Sequence, residues 1–380
     1  MDAIESAYKE GQTKLRADEK CFRLALTAMS RPENLSDIGS IVDSTLADMK
    51  ERMIVPDSDS YGAAIKAWRN VAKARVSDNR EAAAIRALEL LHEMTKAFYR
   101  TTATEIRTTR DNYNHVLEAL TASKNKNVIT LAETLLTAME KSSSELKDGV
   151  DLGIGPNADT YGYVMEILNK SKARDRVRQA ELLLQRFEES HLRDVNVDTI
   201  SDHESLVNVY NKFILVSSNS TLATEDEREY AMKAILRVAE NLRRQKLRAN
   251  AGTYSALIKA CHKLVPLSKG QQRMIENVFR TCCDEGLVDQ DVLSELQKSV
   301  STGMYSKMVV TMSEEVEGIK VVPESWTRHI NGFSARAKNG RRILPLSIAG
   351  KFRSTVASKS FRMRKLRRRS NKRMLEGGRS

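Results

Sequence analysis

Cysteine and histidine are the residues in this chain most able to bind a metal or act as a nucleophile. The four cysteines (Cys21, Cys261, Cys282, Cys283) contain no CxxC pair, and the six histidines show no HxxxH or HxxEH spacing. Metal and catalytic motifs need such spacing because it brings the ligands together on one turn or helix. No GxSxG nucleophile elbow occurs, and the glycine-rich segment 149–157 lacks the GK[ST] ending of a phosphate loop. The sequence therefore predicts no metal, no cofactor, no small-molecule substrate and no enzymatic activity.

Positive charge is concentrated at the C-terminal end. Residues 328–380 contain 17 Lys+Arg and one acid, a charge of +16, which leaves 45 basic and 49 acidic residues in 1–327, a charge of −4. Such a segment suits a polyanion partner, whose phosphates the basic side chains neutralise. The predicted contacts are Arg362, Arg364, Lys365, Arg367, Arg368, Arg369, Lys372 and Arg373. The same composition also fits a solubilising disordered tail or a nuclear-import signal.

An aromatic residue followed by side chains three, four and seven positions later recurs along the chain. This spacing places the four side chains on one face of a helix. Five copies are apolar throughout, and the Tyr210 copy ends in Ser217. The six copies begin at Phe22, Tyr61, Tyr113, Tyr161, Tyr210 and Tyr254.

A second stripe with the same spacing follows each aromatic stripe. The six second stripes end at Met49, Met94, Met139, Phe187, Leu242 and Cys282. Paired amphipathic helices in fixed order bury their stripes against their neighbours and form a solenoid. We therefore predict an all-α, right-handed α-solenoid of about six helix–turn–helix repeats. The polar stretches 141–157, 191–205 and 217–229 are predicted surface loops.

These features predict three regions. Residues 1–300 form the repeat array, and residues 301–339 form a capping segment in which Trp326 covers the apolar end of the last repeat. Residues 340–380 are the basic tail, expected to be disordered. No apolar run approaches the 18 residues of a membrane-spanning helix, and a monomer is expected.

The segments PDSDSYGAAIKAW, PNADTYGYVMEIL and LRANAGTYSALIKAC, with the second helices that follow them, resemble pentatricopeptide repeats. The resemblance covers roughly residues 18–290, with longer and less regular loops than the family has. It implies binding of single-stranded RNA along a concave face, one base per repeat, in the RNA metabolism of a mitochondrion or plastid.

In that family, base choice depends on the residue after the first-helix tyrosine and on the last residue before the next repeat. The corresponding pairs are Asn114 with Asn157 and Asn211 with Asn250, which in the family favour pyrimidines, and Ser255 with Asp289, which resembles a guanine-reading pair. The pairs that depart from the family pattern are Gly62 with Thr109, Gly162 with Leu206, and Arg23 with Asp57.

One alternative is a protein-interaction solenoid of the tetratricopeptide kind, such as a subunit associated with an organellar ribosome, with other proteins bound in the solenoid groove. The −4 charge of residues 1–327 and the two glycines at reading positions favour it. The N-terminus resembles no transit peptide, so the chain is either truncated there or works in the nucleus or cytosol.

Overall fold

A computed structural model describes most of the chain. The described residues are 17–31, 37–74, 79–101, 106–125, 127–144, 153–171, 173–191, 200–222, 224–316, 319–330, 335–336 and 342–343. The eight tail residues predicted to contact a polyanion, and residues 344–380 as a whole, lie outside this part.

The described residues are almost entirely helical, as the apolar spacing predicts. Six helices carry the aromatic stripes and are here called first helices: α1 (Glu19–Met29), α3 (Ser58–Lys73), α5 (Arg110–Leu120), α7 (Ala158–Lys170), α9 (Ile200–Asn219) and α11 (Ala251–Leu264). Each is followed by a second helix: α2 (Ile38–Glu51), α4 (Arg80–Thr101), α6 (Val128–Ser144), α8 (Arg176–His191), α10 (Glu225–Arg244) and α12 (Lys269–Asp284). A further helix, α13 (Gln290–Ser299), takes the place of a seventh first helix.

Both sets of stripes form the core. All six aromatic residues that begin the first stripes are buried, and Tyr161, Tyr210, Phe22 and Phe213 are among the largest fully buried side chains. The second stripes are buried as well, except that Ala239 and Val278 are only half-buried. Removal of these apolar side chains from water is the main favourable contribution to folding.

Neighbouring helices pack in sequence order. Each first helix contacts its own second helix and also the first helices before and after it, from α1 through α13. From α2 through α10, each second helix also contacts the first helix of the next pair. Among the described helices, the main contacts therefore join neighbours in the chain or in the row of first helices, as expected for a helical repeat.

The first helices run parallel to one another, as contacts at both of their ends show. Asn114, near the start of α5, donates to Asn157 at the start of α7. At the opposite end, Asn70 of α3 donates to the carbonyl of Ser30 after α1, at 2.8 Å, and Lys170 of α7 donates to that of Thr121 after α5, also at 2.8 Å. Start meets start and end meets end along the row.

Two repeat tyrosines also make a polar contact to the preceding pair. The hydroxyl of Tyr161 donates to Glu140 of α6, and that of Tyr210 donates to Glu188 of α8, each at 2.9 Å. Burial and the neighbouring carboxylates raise the pKa of both tyrosines, so each remains a hydrogen-bond donor at all ordinary pH values.

All three predicted loops are shorter than the sequence suggests. Helix α6 continues to Ser144, into the predicted loop 141–157. Helix α9 begins at Ile200, so the second half of the predicted loop 191–205 is helical. Both ends of the predicted loop 217–229 are helical, because α9 continues to Asn219 and α10 begins at Glu225. Thr224 caps α10 and forms a capping box with Glu227, a helix-start signal that the polar composition had hidden.

The segment after α13 adds short irregular elements. A four-residue helix (Thr302–Tyr305) continues into a π-helical turn (Ser306–Val310), and antiparallel hairpins form from β1 (Glu314–Val316) with β2 (Ile319–Val321) and β3 (Ala335–Arg336) with β4 (Arg342–Ile343). Trp326 packs edge-on against Phe279 of α12 with ring centroids 5.6 Å apart, and its carbonyl accepts from the Val288 amide at 2.8 Å. The sequence does not predict the two hairpins.

Candidate nucleic-acid interface

A polar side chain caps nearly every first helix, and five of these caps are among the residues that the resemblance assigns to base reading. Each cap side chain accepts a hydrogen bond from the backbone N–H three residues later, which satisfies a donor that the helix cannot. The caps are Asp18, Asp57, Thr109, Asn157, Asn250 and Asp289. The cap acceptor is therefore already used by the helix itself.

The structure brings Asn114 and Asn157 together. Asn114 Nδ2 donates to Asn157 Oδ1 at 3.2 Å, and the Thr160 hydroxyl donates to Asn114 Oδ1 at 2.7 Å. Only 8% of Asn114 is exposed. Both oxygens of the pair are thus occupied, and the donor of Asn157 Nδ2 is the group left for a ligand.

Asn211 and Asn250 repeat this arrangement with one difference. Asn211 Nδ2 donates to Asn250 Oδ1 at 2.9 Å, and Asn250 Nδ2 reaches Asn208 Oδ1 at 3.4 Å. Asn211 Oδ1 is buried without a partner, because the hydroxyl of Thr253 donates to Asn250 and not to Asn211. We call such a contact between the starts of two adjacent first helices a junction. The Asn211–Asn250 junction leaves a buried oxygen without a hydrogen bond, whereas the Asn114–Asn157 junction has both of its side-chain oxygens bonded.

The third predicted pair is held differently. Ser255 is half-buried on α11, and Asp289 caps α13, accepting from the Val292 amide at 2.8 Å. Burial raises the pKa of Asp289 above its ordinary value. The helices that carry the two residues pack together, but their side chains make no hydrogen bond with each other.

The junctions that depart from the family pattern are filled from neighbouring helices. Arg23 forms an ion pair with Asp57, with Nη1 3.5 Å from the carboxylate. A side chain at Gly62 would meet Asn112, and one at Gly162 would meet Lys212. Lys212 Nζ donates to the Gly162 carbonyl at 3.1 Å and lies 5.3 Å from the centre of the Tyr163 ring. At these positions the glycines leave room for a neighbouring polar side chain.

Sequence reasoning missed a band of basic side chains along one side of the first helices, here called the cationic stripe. Counted from α3 to α13, its positions lie two, five, eight, nine and twelve residues after the aromatic, with Leu293 taking the aromatic's place in α13. Eight basic residues against three acids leave a surplus of five positive charges. The bases are Lys66, Arg69, Lys73, Lys170, Lys212, Lys259, Lys263 and Lys298, and the acids are Glu118, Glu166 and Glu295.

Two of the stripe's acids are held by bases of the same first helix or of an adjacent one. Glu118 accepts from Arg69 at 3.0 Å and from Lys73, and Glu166 accepts from Lys170 at 2.8 Å and lies 3.5 Å from Lys212. Burial alone would raise the pKa of both glutamates, but these partners lower it below the ordinary value. The ion pairs fix the stripe across successive helices.

Acidic residues occupy the other end of the same face. Asp59, Asp111, Asp159 and Asp291 lie in the first turns of α3, α5, α7 and α13. Carboxylates at helix starts and ammonium groups at helix ends both suit the helix dipole. Because the helices are parallel, this preference divides the face into an acidic edge and a basic edge.

The cysteines behave as core residues. Cys261, Cys282 and Cys283 are buried, and burial raises the thiol pKa to about 11 for Cys261 and about 12 for Cys283. Within the described ranges no three Cys, His, Asp or Glu side chains are grouped closely enough to hold a metal ion. No helix in the described part of the chain is long and apolar enough to span a bilayer.

Comparison with known proteins adds no family name. No protein-family model matches this sequence, and no curated protein is significantly similar to it.

Proposed function

We propose that this chain is a single-stranded RNA-binding adaptor built as a right-handed α-solenoid of pentatricopeptide-like repeats. The cationic stripe carries the proposal, because ammonium and guanidinium groups on α3, α7, α9, α11 and α13 suit the phosphates of an extended strand. Packing in strict sequence order supports the solenoid. The resemblance adds a role in organellar RNA metabolism, and the organelle stays a prediction of that resemblance.

The polar junctions support contact with bases beside the stripe. Asn157 and Asn250 present amide donors at two junctions separated by one repeat. Single-stranded RNA exposes base edges that such amides can recognise, whereas the bases of a duplex are already paired. Most of the other polar atoms at these junctions are used by the fold, so we expect base discrimination to be modest.

The test separates the array from the tail. In the full chain, the eight predicted tail contacts are replaced by glutamine, and binding of fluorescent 12-nucleotide oligouridylate and oligocytidylate is followed by anisotropy. We expect this tail-neutral chain to retain salt-dependent binding and to prefer single strands to an RNA duplex. Complete loss of binding would show that only the tail contacts RNA.

A conservative variant tests the reading groups. Asn157→Asp keeps the helix cap and the acceptor for Asn114, since aspartate caps helices as well as asparagine does, but it removes the amide donor. We expect the ratio of affinities for the two oligonucleotides to change by about fivefold, within the range of one base-edge hydrogen bond. An unchanged ratio would mean that this junction contacts no base.

A protein-interaction scaffold is the second candidate, favoured by a groove on the second helices. Helices α8 and α10 border a cavity of about 500 Å³ with Phe213 among its lining residues. Leu182 and Tyr230, on its walls, are exposed. Exposed apolar side chains beside a groove are typical of protein-binding surfaces. A tail-neutral chain that binds no RNA would favour this candidate.

A further inference from the structure

The charge of the first-helix face is not uniform along the array. Helices α3, α5 and α7 each carry an aspartate two residues before the tyrosine: Asp59, Asp111 and Asp159. At the equivalent positions α9 has Asn208 and α11 has Gly252. The acidic edge is therefore interrupted over two adjacent helices.

The bases on these two helices have few acids to neutralise them. Lys212 of α9 shares Glu166 with Lys170, at 3.5 Å and 2.8 Å respectively. Neither Lys259 nor Lys263 of α11 lies within 4 Å of a carboxylate in the described part of the chain, and Lys263 donates only to the Asn219 amide oxygen, at 3.3 Å. By contrast, Arg69 and Lys73 of α3 both contact Glu118, and among the stripe bases of that helix Lys66 alone has no carboxylate within 4 Å in the described part of the chain.

Lys259 is affected by the neighbouring positive charges. It is half-buried, and burial lowers its pKa; Glu295 partly opposes this effect, while the positive charges of Lys263 and Lys298 add to it. Like charges held together at a partly desolvated position cost free energy unless an anion is present. Among the described residues, α11 thus carries two neighbouring stripe lysines, Lys259 and Lys263, with no carboxylate within 4 Å.

We propose that α9 and α11 form the main backbone-gripping site of the array, with Lys212, Lys259 and Lys263 contacting phosphates of the bound RNA strand. This inference rests on the proposed function and narrows it. It replaces an even distribution of contacts, one per repeat, with a short footprint near the C-terminal end of the array. On α3 and α5 the stripe residues and the edge aspartates cancel, with three bases against three acids.

The experiment uses two matched double variants in the tail-neutral full chain. Lys259→Ala/Lys263→Ala removes the unmatched cations, whereas Lys66→Ala/Lys73→Ala removes the same charge from α3. Loss of two phosphate contacts on a single strand lowers the salt slope by about 1.4 and the affinity about 25-fold at 0.1 M salt. We expect the affinity of Lys259→Ala/Lys263→Ala for 12-nucleotide oligouridylate to fall by this factor, and that of Lys66→Ala/Lys73→Ala to fall less than about threefold.

The outcomes distinguish this inference from the proposed function. Equal losses in the two variants, or no loss in either, would overturn the inference while RNA binding by the array stands. A tail-neutral parent that binds no oligonucleotide would overturn the proposed function and the inference together. Unfolding midpoints measured by circular dichroism check that both variants fold. The midpoint of Lys259→Ala/Lys263→Ala is expected to be no lower than the parent's, because the substitutions remove two like charges that repel each other.

Discussion

Arg176 offers the sharpest test of how the repeats are joined. Its guanidinium is 5% exposed and donates to three backbone carbonyls at 3.0 Å: Asn169 and Ser171 at the end of α7, and Asn219 at the end of α9. Burial lowers its pKa, and its Nε has no partner. One side chain thus satisfies carbonyls that helix ends leave without donors, across two successive repeats.

The expected cost of losing these bonds follows from two opposing contributions. Hydrogen bonds from a charged donor contribute about 1.5–3 kcal/mol each, so three contribute roughly 4.5–9 kcal/mol. Burial of a guanidinium with no carboxylate beside it costs several kcal/mol, a penalty that the variant no longer bears. We expect Arg176→Met to lower the free energy of unfolding by about 2–4 kcal/mol, because the attractive contribution is the larger one.

Urea unfolding followed by circular dichroism at 222 nm measures this change. Arg178→Met, two residues along α8 and exposed, is the matched control, and its effect should stay within about 0.5 kcal/mol. Arg176→Lys should fall between the two, since one ammonium cannot reach all three carbonyls. If Arg176→Met is as stable as the parent, burial of the charge cancels its hydrogen bonds and the reasoning is refuted.

Two further predictions concern buried titratable side chains. Burial, together with the positive charge of Arg69, lowers the pKa of His115 to about 4. The unfolded chain therefore binds the proton first, and the free energy of unfolding falls by up to about 3 kcal/mol as the pH drops from about 7 to 4. His115→Gln should flatten this part of a plot of melting temperature against pH, and an unchanged profile would contradict the assignment. Tyr210→Phe removes the donor to Glu188 and should cost about 1.5–3 kcal/mol in urea unfolding. Tyr230→Phe, at an exposed tyrosine that donates to Glu181, should cost less than about 1 kcal/mol, and equal costs would show that burial does not set the strength of these bonds.

Parallel first helices connect the fold to the proposed function. Helix dipoles favour acids at the start of each helix and bases at its end, which by itself is a matter of local stability. Once the helices stack in one direction, the same preference produces a long acidic edge and a long basic edge. On α3, α7, α11 and α13, which have a lysine in the last turn, the proposed polyanion surface would use charges that also stabilise the helix.

The amino-acid sequence was enough to predict the helical class and the residues of the core. Apolar residues at intervals of three, four and seven can form a continuous face only on a helix, so residues such as Tyr161 and Leu136 could be assigned to the interior without coordinates. Cap residues such as Asn157 also marked helix starts correctly, because capping is a local interaction between a side chain and a nearby N–H. The short hairpins after α13 escaped prediction because two- and three-residue strands carry too little pattern to be recognised.

The contacts of the polar residues, in contrast, depend on how the helices pack against one another. Asn114 and Asn211 both directly follow the tyrosine of a first helix. The amide nitrogen and oxygen of Asn114 are both hydrogen-bonded, whereas the amide oxygen of Asn211 is buried without a partner. The cationic stripe could not be read from the chain, because its members come from helices about 40–50 residues apart, and whether a lysine is neutralised depends on which acid the next helix brings near it. Local periodicity fixes which side of a helix is buried, but charge compensation is a property of the packed row, and packing alone sets it.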